Sequence, residues 1–176
     1  MNIDPMSFFD IPLTGITDMY AAMGRALWAC QCFEEQLTYY LCLLFDIPPG
    51  TAEEIANKIL DDKRRKTLGQ LVREATRKRS PSIPKSLETR LRAFTDERNW
   101  LAHRIQHENH TDLFHQQRFL RLLARLGGLK TEAQKLAKVF ESVLDRWYEK
   151  QGLSHEELHR RMAEIIEKWK RTEPAA

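Results

Sequence analysis

The side chains best suited to chemistry in this chain lie within six residues, Arg98-Asn99-Trp100-Leu101-Ala102-His103. Histidine titrates near neutral pH and can give or take a proton. Arginine keeps its charge and presents a planar fork of donors that matches a phosphate or a phosphorane. Together they suit metal-independent cleavage of RNA. A base removes the proton of a ribose 2′-hydroxyl, which attacks the adjacent phosphorus. An acid protonates the departing oxygen, and a cation steadies the charge between. Asn99 adds a neutral hydrogen-bonding group. Five positions along a regular helix turn two side chains roughly 140° apart around the axis. Arg98 and His103 therefore line two sides of one cleft, or complete a site with the same residues of a second subunit.

Arg98 also interrupts a pattern. Leu87, Leu91, Phe94, Arg98, Leu101 and Ile105 recur at helical spacing, and only the arginine is charged. A guanidinium at a core position needs an internal partner or a cleft. The plain alternative to catalysis is an ion pair with Glu34 or Glu35, in a non-catalytic helical interaction or scaffold protein.

Other constellations carry less. His155-Glu-Glu-Leu-His159 has zinc-protease spacing, but it sits in the first turn of a polar terminal segment with little chain left to supply a third ligand. His103, His107 and His110 share i, i+4, i+7 spacing and read as a polar helix end. Cys30, Cys32 and Cys42 lie in one predicted helix, odd in number, and read as reduced, partly buried thiols. No metal is expected, and no Gly-rich phosphate loop or other cofactor motif is present.

A basic run stands close to the motif. From Lys63 to Arg79 eight basic residues face one acid, Glu74. The residues Lys63, Arg64, Arg65, Lys66, Arg77, Lys78 and Arg79, extended by Arg104, are the candidate phosphate-contacting surface for RNA. The alternative is a solvated helix face.

These residues must be positioned by helices. Apolar residues make up 42% and charged residues 30%, with only seven glycines and seven prolines, which points to a folded all-α protein. Strand-like alternation is nearly absent. The stripe Met19, Met23, Ala26, Cys30, Phe33, Leu37, Tyr40, Leu44 predicts a first helix over about 17–45, ended at Asp46-Ile-Pro-Pro-Gly50. Thr51-Ala-Glu-Glu54 predicts a capping box opening a second helix, followed by a basic helical segment. Further helices are predicted over about 84–107, 112–126 (ended by Gly127-Gly128), 131–150 (capped by Thr131) and 154–171 (capped by Ser154). The expected architecture is a helical bundle with long antiparallel helices in a single domain over 1–176. The first ten residues do not resemble a leader peptide, and no apolar run is long enough to span a bilayer. The expected location is the cytoplasm, without membrane contact.

Asp96-Glu-Arg-Asn-Trp-Leu-Ala-His103, late in a helix of a small helical chain, resembles the HEPN domains. Their signature is an arginine, usually followed by a polar residue, then a histidine after four to six intervening residues. The long first helix with Phe33-Glu34-Glu35-Gln36-Leu37 is similar to that family too. The resemblance covers about 17–150, leaving 154–171 as an extra C-terminal helix. It implies a metal-independent endoribonuclease of the toxin or antiphage-defence kind, with its active site in a homodimer cleft. Arg98 and His103 would be catalytic, and Asn99 would orient the site or the phosphate. RNA, a second copy of the chain, and an antitoxin or other regulatory protein are the partners it implies. Members controlled by a nucleotidyltransferase often carry a tyrosine two residues after the histidine. Ile105 stands there instead, which argues against that mode of control.

Overall fold

A computed structural model of the chain describes residues 13–48, 50–78, 83–152 and 160. Among them are six α-helices and no strand: α1 (Leu13–Leu41), α2 (Glu53–Arg64), α3 (Leu68–Arg77), α4 (Lys85–His103), α5 (Ile105–Asn109) and α6 (Gln116–Lys150). A π-helical turn, Cys42–Asp46, follows α1, and a 3-10 turn, Asp112–Phe114, precedes α6. The all-α bundle expected from composition is therefore observed. The predicted C-terminal helix over 154–171, with His155, His159 and Ser154, lies outside the described residues.

The stripe of α1 buries Ala26, Cys30, Phe33, Leu37 and Tyr40 completely. Phe33 meets Phe94 of α4 edge-on with centroids 5.1 Å apart, and Phe140 of α6 at 5.8 Å. Tyr40 meets Phe140 at 4.9 Å. These aromatic pairs add to area burial through their edge-to-face geometry. α4 runs antiparallel to α1, since Ile105 lies with Met19 and Met23 while Phe94 lies with Phe33. It also runs antiparallel to α6, where Arg90 reaches Glu132 and Arg125 reaches Glu97. The two longest helices, α1 and α6, run in the same direction. Gly15 lies beside Phe119 at one end, and Tyr40 beside Phe140 at the other.

That common direction depends on the continuity of α6 through Gly127-Gly128. The predicted helix end there does not occur, and α6 passes straight through both glycines. Thr131, predicted as a cap, donates its hydroxyl to the Gly127 carbonyl inside the helix at 2.9 Å. Each interior glycine costs about 1 kcal/mol relative to alanine. Leu122, Leu126, Leu129, Ala133, Leu136 and Phe140 are buried on one continuous stripe across them. A buried leucine or phenylalanine contributes about 1.5–3 kcal/mol, so the stripe wins.

Three other boundaries differ. The Thr51 capping box is absent: the Thr51 hydroxyl turns back to the Pro48 carbonyl at 2.6 Å, and Ala52 precedes α2 with no side-chain cap. A capping box forms instead at Thr67 and Gln70, opening α3. The helix predicted over 84–107 breaks at Arg104 (φ −122°, ψ −18°), separating α4 from α5.

Both glycines of α6 are exposed, and a Cβ added at either meets no atom within 4 Å. Gly127→Ala and Gly128→Ala should each stabilise the fold by about 0.5–1 kcal/mol in urea denaturation. Destabilisation by either would show that the helix is interrupted there after all.

Candidate functional site

α4 is anchored on α1, α3 and α6. Phe94 meets Phe33 of α1, Thr95 lies beside Gly69 of α3, and Trp100 is fully buried toward α6. Arg125 lies over the Trp100 ring, its Cζ 3.5 Å from the centroid. It also grips Glu97 with two hydrogen bonds of 2.8 Å, which lower the Glu97 carboxyl below the usual range. Trp100 is thus a core residue with a cation stacked on it, and its ring is not available to a base.

The arc between those anchors faces outward. Asn99, Ala102 and His103 are all exposed. Asn99 and His103 are four residues apart, so their side chains are neighbours on one face of the helix. Ala102 beside them is small enough to let a backbone approach. His103 is the last residue of α4, ahead of the break at Arg104. Because of that break, His103, His107 and His110 do not share one uninterrupted helix face. Among the described residues no three His, Cys, Asp or Glu side chains gather as metal ligands.

Arg98 borders this arc on the α1 side. Its side chain is 23% exposed, and its Nε donates to Glu34 Oε1 at 2.8 Å. Of the two acids that the sequence offered as partners, the structure selects Glu34. Glu35 is taken by Arg64 of α2. No other described residue bonds the Arg98 guanidinium, so its terminal nitrogens keep their donors. Cys30 lies beneath the pair. Burial first, and then the Glu34 charge, push its thiol up to about 12 against the opposing pull of Arg98. Cys30 therefore stays a neutral thiol and is no nucleophile near pH 7.

The basic run divides into two sets. Lys63 is 6% exposed, and its ammonium lies 2.7 Å from Asp46 Oδ2 and 2.6 Å from Glu74 Oε1. Lys66 lies 2.8 Å from Glu74 Oε2, and Lys78 lies 2.5 Å from Asp46 Oδ1. Three lysines and two carboxylates thus tie α2, α3 and the π turn together. Arg64 binds Glu35 and donates to the Tyr39 hydroxyl at 3.1 Å. Arg65, Arg73 and Arg77 are exposed and form no such pair with a described residue, and Arg104 is exposed beside Glu108 at 3.4 Å. Arg79 lies outside the described residues. Composition counted the positive charges of this segment correctly. It could not show that Asp46, which lies outside the run, and the single acid Glu74 would absorb three of them.

No protein-family model matches the chain, and no curated protein or solved structure matches it. The site must be read from its own geometry. No helix among the described residues is long and apolar enough to cross a membrane.

Burial raises the Glu74 carboxyl, but hydrogen bonds from Lys63, Lys66 and Lys78 outweigh it and bring the group down to about 2. A depressed carboxylate stabilises the fold fully above its ordinary value of 4.5, and that stability is lost as pH falls toward 2. Glu74→Gln should cost about 2 kcal/mol at pH 7 and flatten the fall in stability between pH 4.5 and 2. Chemical denaturation across that interval measures both. Parallel curves for wild type and variant would show that the carboxylate is not held ionised by the lysines.

Proposed function

We propose that this chain is a HEPN-type endoribonuclease that needs no metal, acts in the cytoplasm as a toxin or antiphage effector, and forms its active site in a homodimer cleft. One observation carries the reading. Among the described residues Arg98 is held by Glu34 through Nε, and its terminal nitrogens have no partner there, at the edge of an open helix face that bears Asn99 and His103. A guanidinium aligned in this way is preorganised for a phosphorane at little cost in ordering. His103 gives or takes the proton at the ribose or at the leaving oxygen. Asn99, one turn before it, orients the phosphate or the imidazole. A single reaction needs both an acid and a base, and on this helix face His103 is the histidine beside Asn99, so each chain supplies one of them there. Facing the same helix end of a second copy brings in the other. The exposed arginines Arg65, Arg77 and Arg104 suit contact with the RNA backbone.

The 2.8 Å bond between Arg98 and Glu34 equally supports a second reading, a non-catalytic scaffold in which that pair clamps α4 to α1. The two readings separate on His103, whose side chain is exposed and whose removal should change stability by no more than about 0.5 kcal/mol. Under the first reading His103→Ala abolishes RNA cleavage, and wild-type products carry 2′,3′-cyclic phosphate or 3′-phosphate ends in the presence of a chelator. Ends bearing 3′-hydroxyls, or cleavage that persists in the variant, would overturn it. Under the second reading no cleavage is seen at all, and Arg98→Ala chiefly lowers stability. A double-mutant cycle of Glu34→Gln with Arg98→Gln should show a coupling of about 1 kcal/mol, read by urea denaturation.

A further inference from the structure

Two charged grooves among the described residues carry their own neutralisation. Between α4 and α6, Arg90 faces Glu132 and Arg125 faces Glu97. Beside the π turn, Lys63 and Lys66 face Asp46 and Glu74. The groove between α1 and α6 differs. A cavity of about 400 Å3 there is lined by Arg25, Trp28, Cys32, Lys130 and Gln134, with no carboxylate. Neither Arg25 nor Lys130 forms an ion pair or hydrogen bond with a described residue. Trp28 is 69% exposed, more than any other large apolar side chain described.

Two uncompensated cations beside an open indole favour a ligand that is both flat and anionic. We propose that this groove binds one nucleotide unit, either free or within a single strand of RNA. The base stacks on Trp28, since every base offers a π face to an aromatic ring. The phosphate meets the Arg25 fork and the Lys130 ammonium. The Gln134 amide supplies a donor and an acceptor for the base edge. The volume falls within the roughly 300–1,000 Å3 of small-molecule sites. A second copy of the chain is the weaker occupant. A two-fold contact centred on Trp28 would bring Arg25 and Lys130 of both copies together, with no lining carboxylate to offset them.

The groove is separate from the Arg98 motif. Cys32 lines it and Glu34 pairs with Arg98, and two residues on a helix point roughly 200° apart. The proposal therefore stands whether or not Arg98 and His103 cleave RNA.

The test uses the full chain carrying His103→Ala, so that RNA stays intact. The probes are adenosine 5′-monophosphate and a short fluorescein-labelled single-stranded RNA. Cys32 is the exposed thiol, whereas Cys30 and Cys42 are buried, so the rate of maleimide labelling reports on the groove itself. Either probe should slow that labelling. Trp28→Ala should weaken binding about tenfold, and Trp28→Phe should restore most of it. Arg25→Gln with Lys130→Gln should reduce the salt slope for RNA by about 1.4. Protection by RNA at far lower concentration than by the mononucleotide assigns the groove to a strand. Similar protection by both assigns it to a free nucleotide. Unprotected Cys32 under saturating probe, unchanged binding in Trp28→Ala, or conversion of a dimer to a monomer by that variant would overturn the proposal.

Discussion

The packing of α6 along α1 in a common direction is the constraint from which the rest of the arrangement follows. Phe140, late in α6, reaches Phe33 and Tyr40, late in α1. Phe119, early in α6, lies by Gly15. A return helix is required to bring the chain back before α6 can start, and α4 is that helix. It runs against both long helices and buries one edge on each, Phe94 against Phe33 and Trp100 under Arg125. It also packs on α3, and Asn99 and His103 fall on the outward part of its surface that these contacts leave open. The exposure of the candidate catalytic residues is thus a consequence of how α4 is held, not of their own polarity.

Charge is organised on the same frame. The chain has 28 basic and 25 acidic residues, so on average its charges cancel. Locally they cancel very unevenly. Where helices converge, at the α2, α3 and π-turn junction, lysines are drawn inward and matched closely by Asp46 and Glu74. Unmatched burial there would cost several kcal/mol per ion, and pairing removes most of that cost. Where two helices merely lie side by side, as α1 and α6 do around Trp28, nothing forces a match. Arg25 and Lys130 have no acidic partner among the described residues. Arg98 stands between these cases, half-covered and held by one acid through one nitrogen.

Much of this was legible in the sequence. The stripes of α1 and α4 are buried as their spacing foretold, and the odd member of the second stripe does face an acid of α1. The misreadings have a common source. Gly127-Gly128, Thr51 and Thr131 carry local signals for helix ends, and each was read by its local preference of about 1 kcal/mol or less. At Gly127-Gly128 and Thr131 the burial of a continuous leucine stripe outweighs such preferences, and that burial depends on a partner helix far away in the chain, whereas at Thr51 the hydroxyl is taken by the nearby Pro48 carbonyl. Trp100 escaped the α4 stripe because it serves a second neighbour, and single-stripe periodicity sees only one.

Periodicity, composition and the Arg98 to His103 spacing were sufficient for the helical class, the core faces of α1 and α4 and the pair of residues worth testing. They are local properties, set by 3.6 residues per turn and by the apolar pattern laid on it. Tertiary structure alone decided that α1 and α6 run in the same direction, that Glu34 rather than Glu35 holds Arg98, that Lys63 is inside while Arg65 is outside, and that Arg25 and Lys130 flank Trp28 without a carboxylate. Each of these joins residues of different helices or turns. Which distant side chain answers a charge or an aromatic ring is settled by helix packing, and no window along the chain contains both partners.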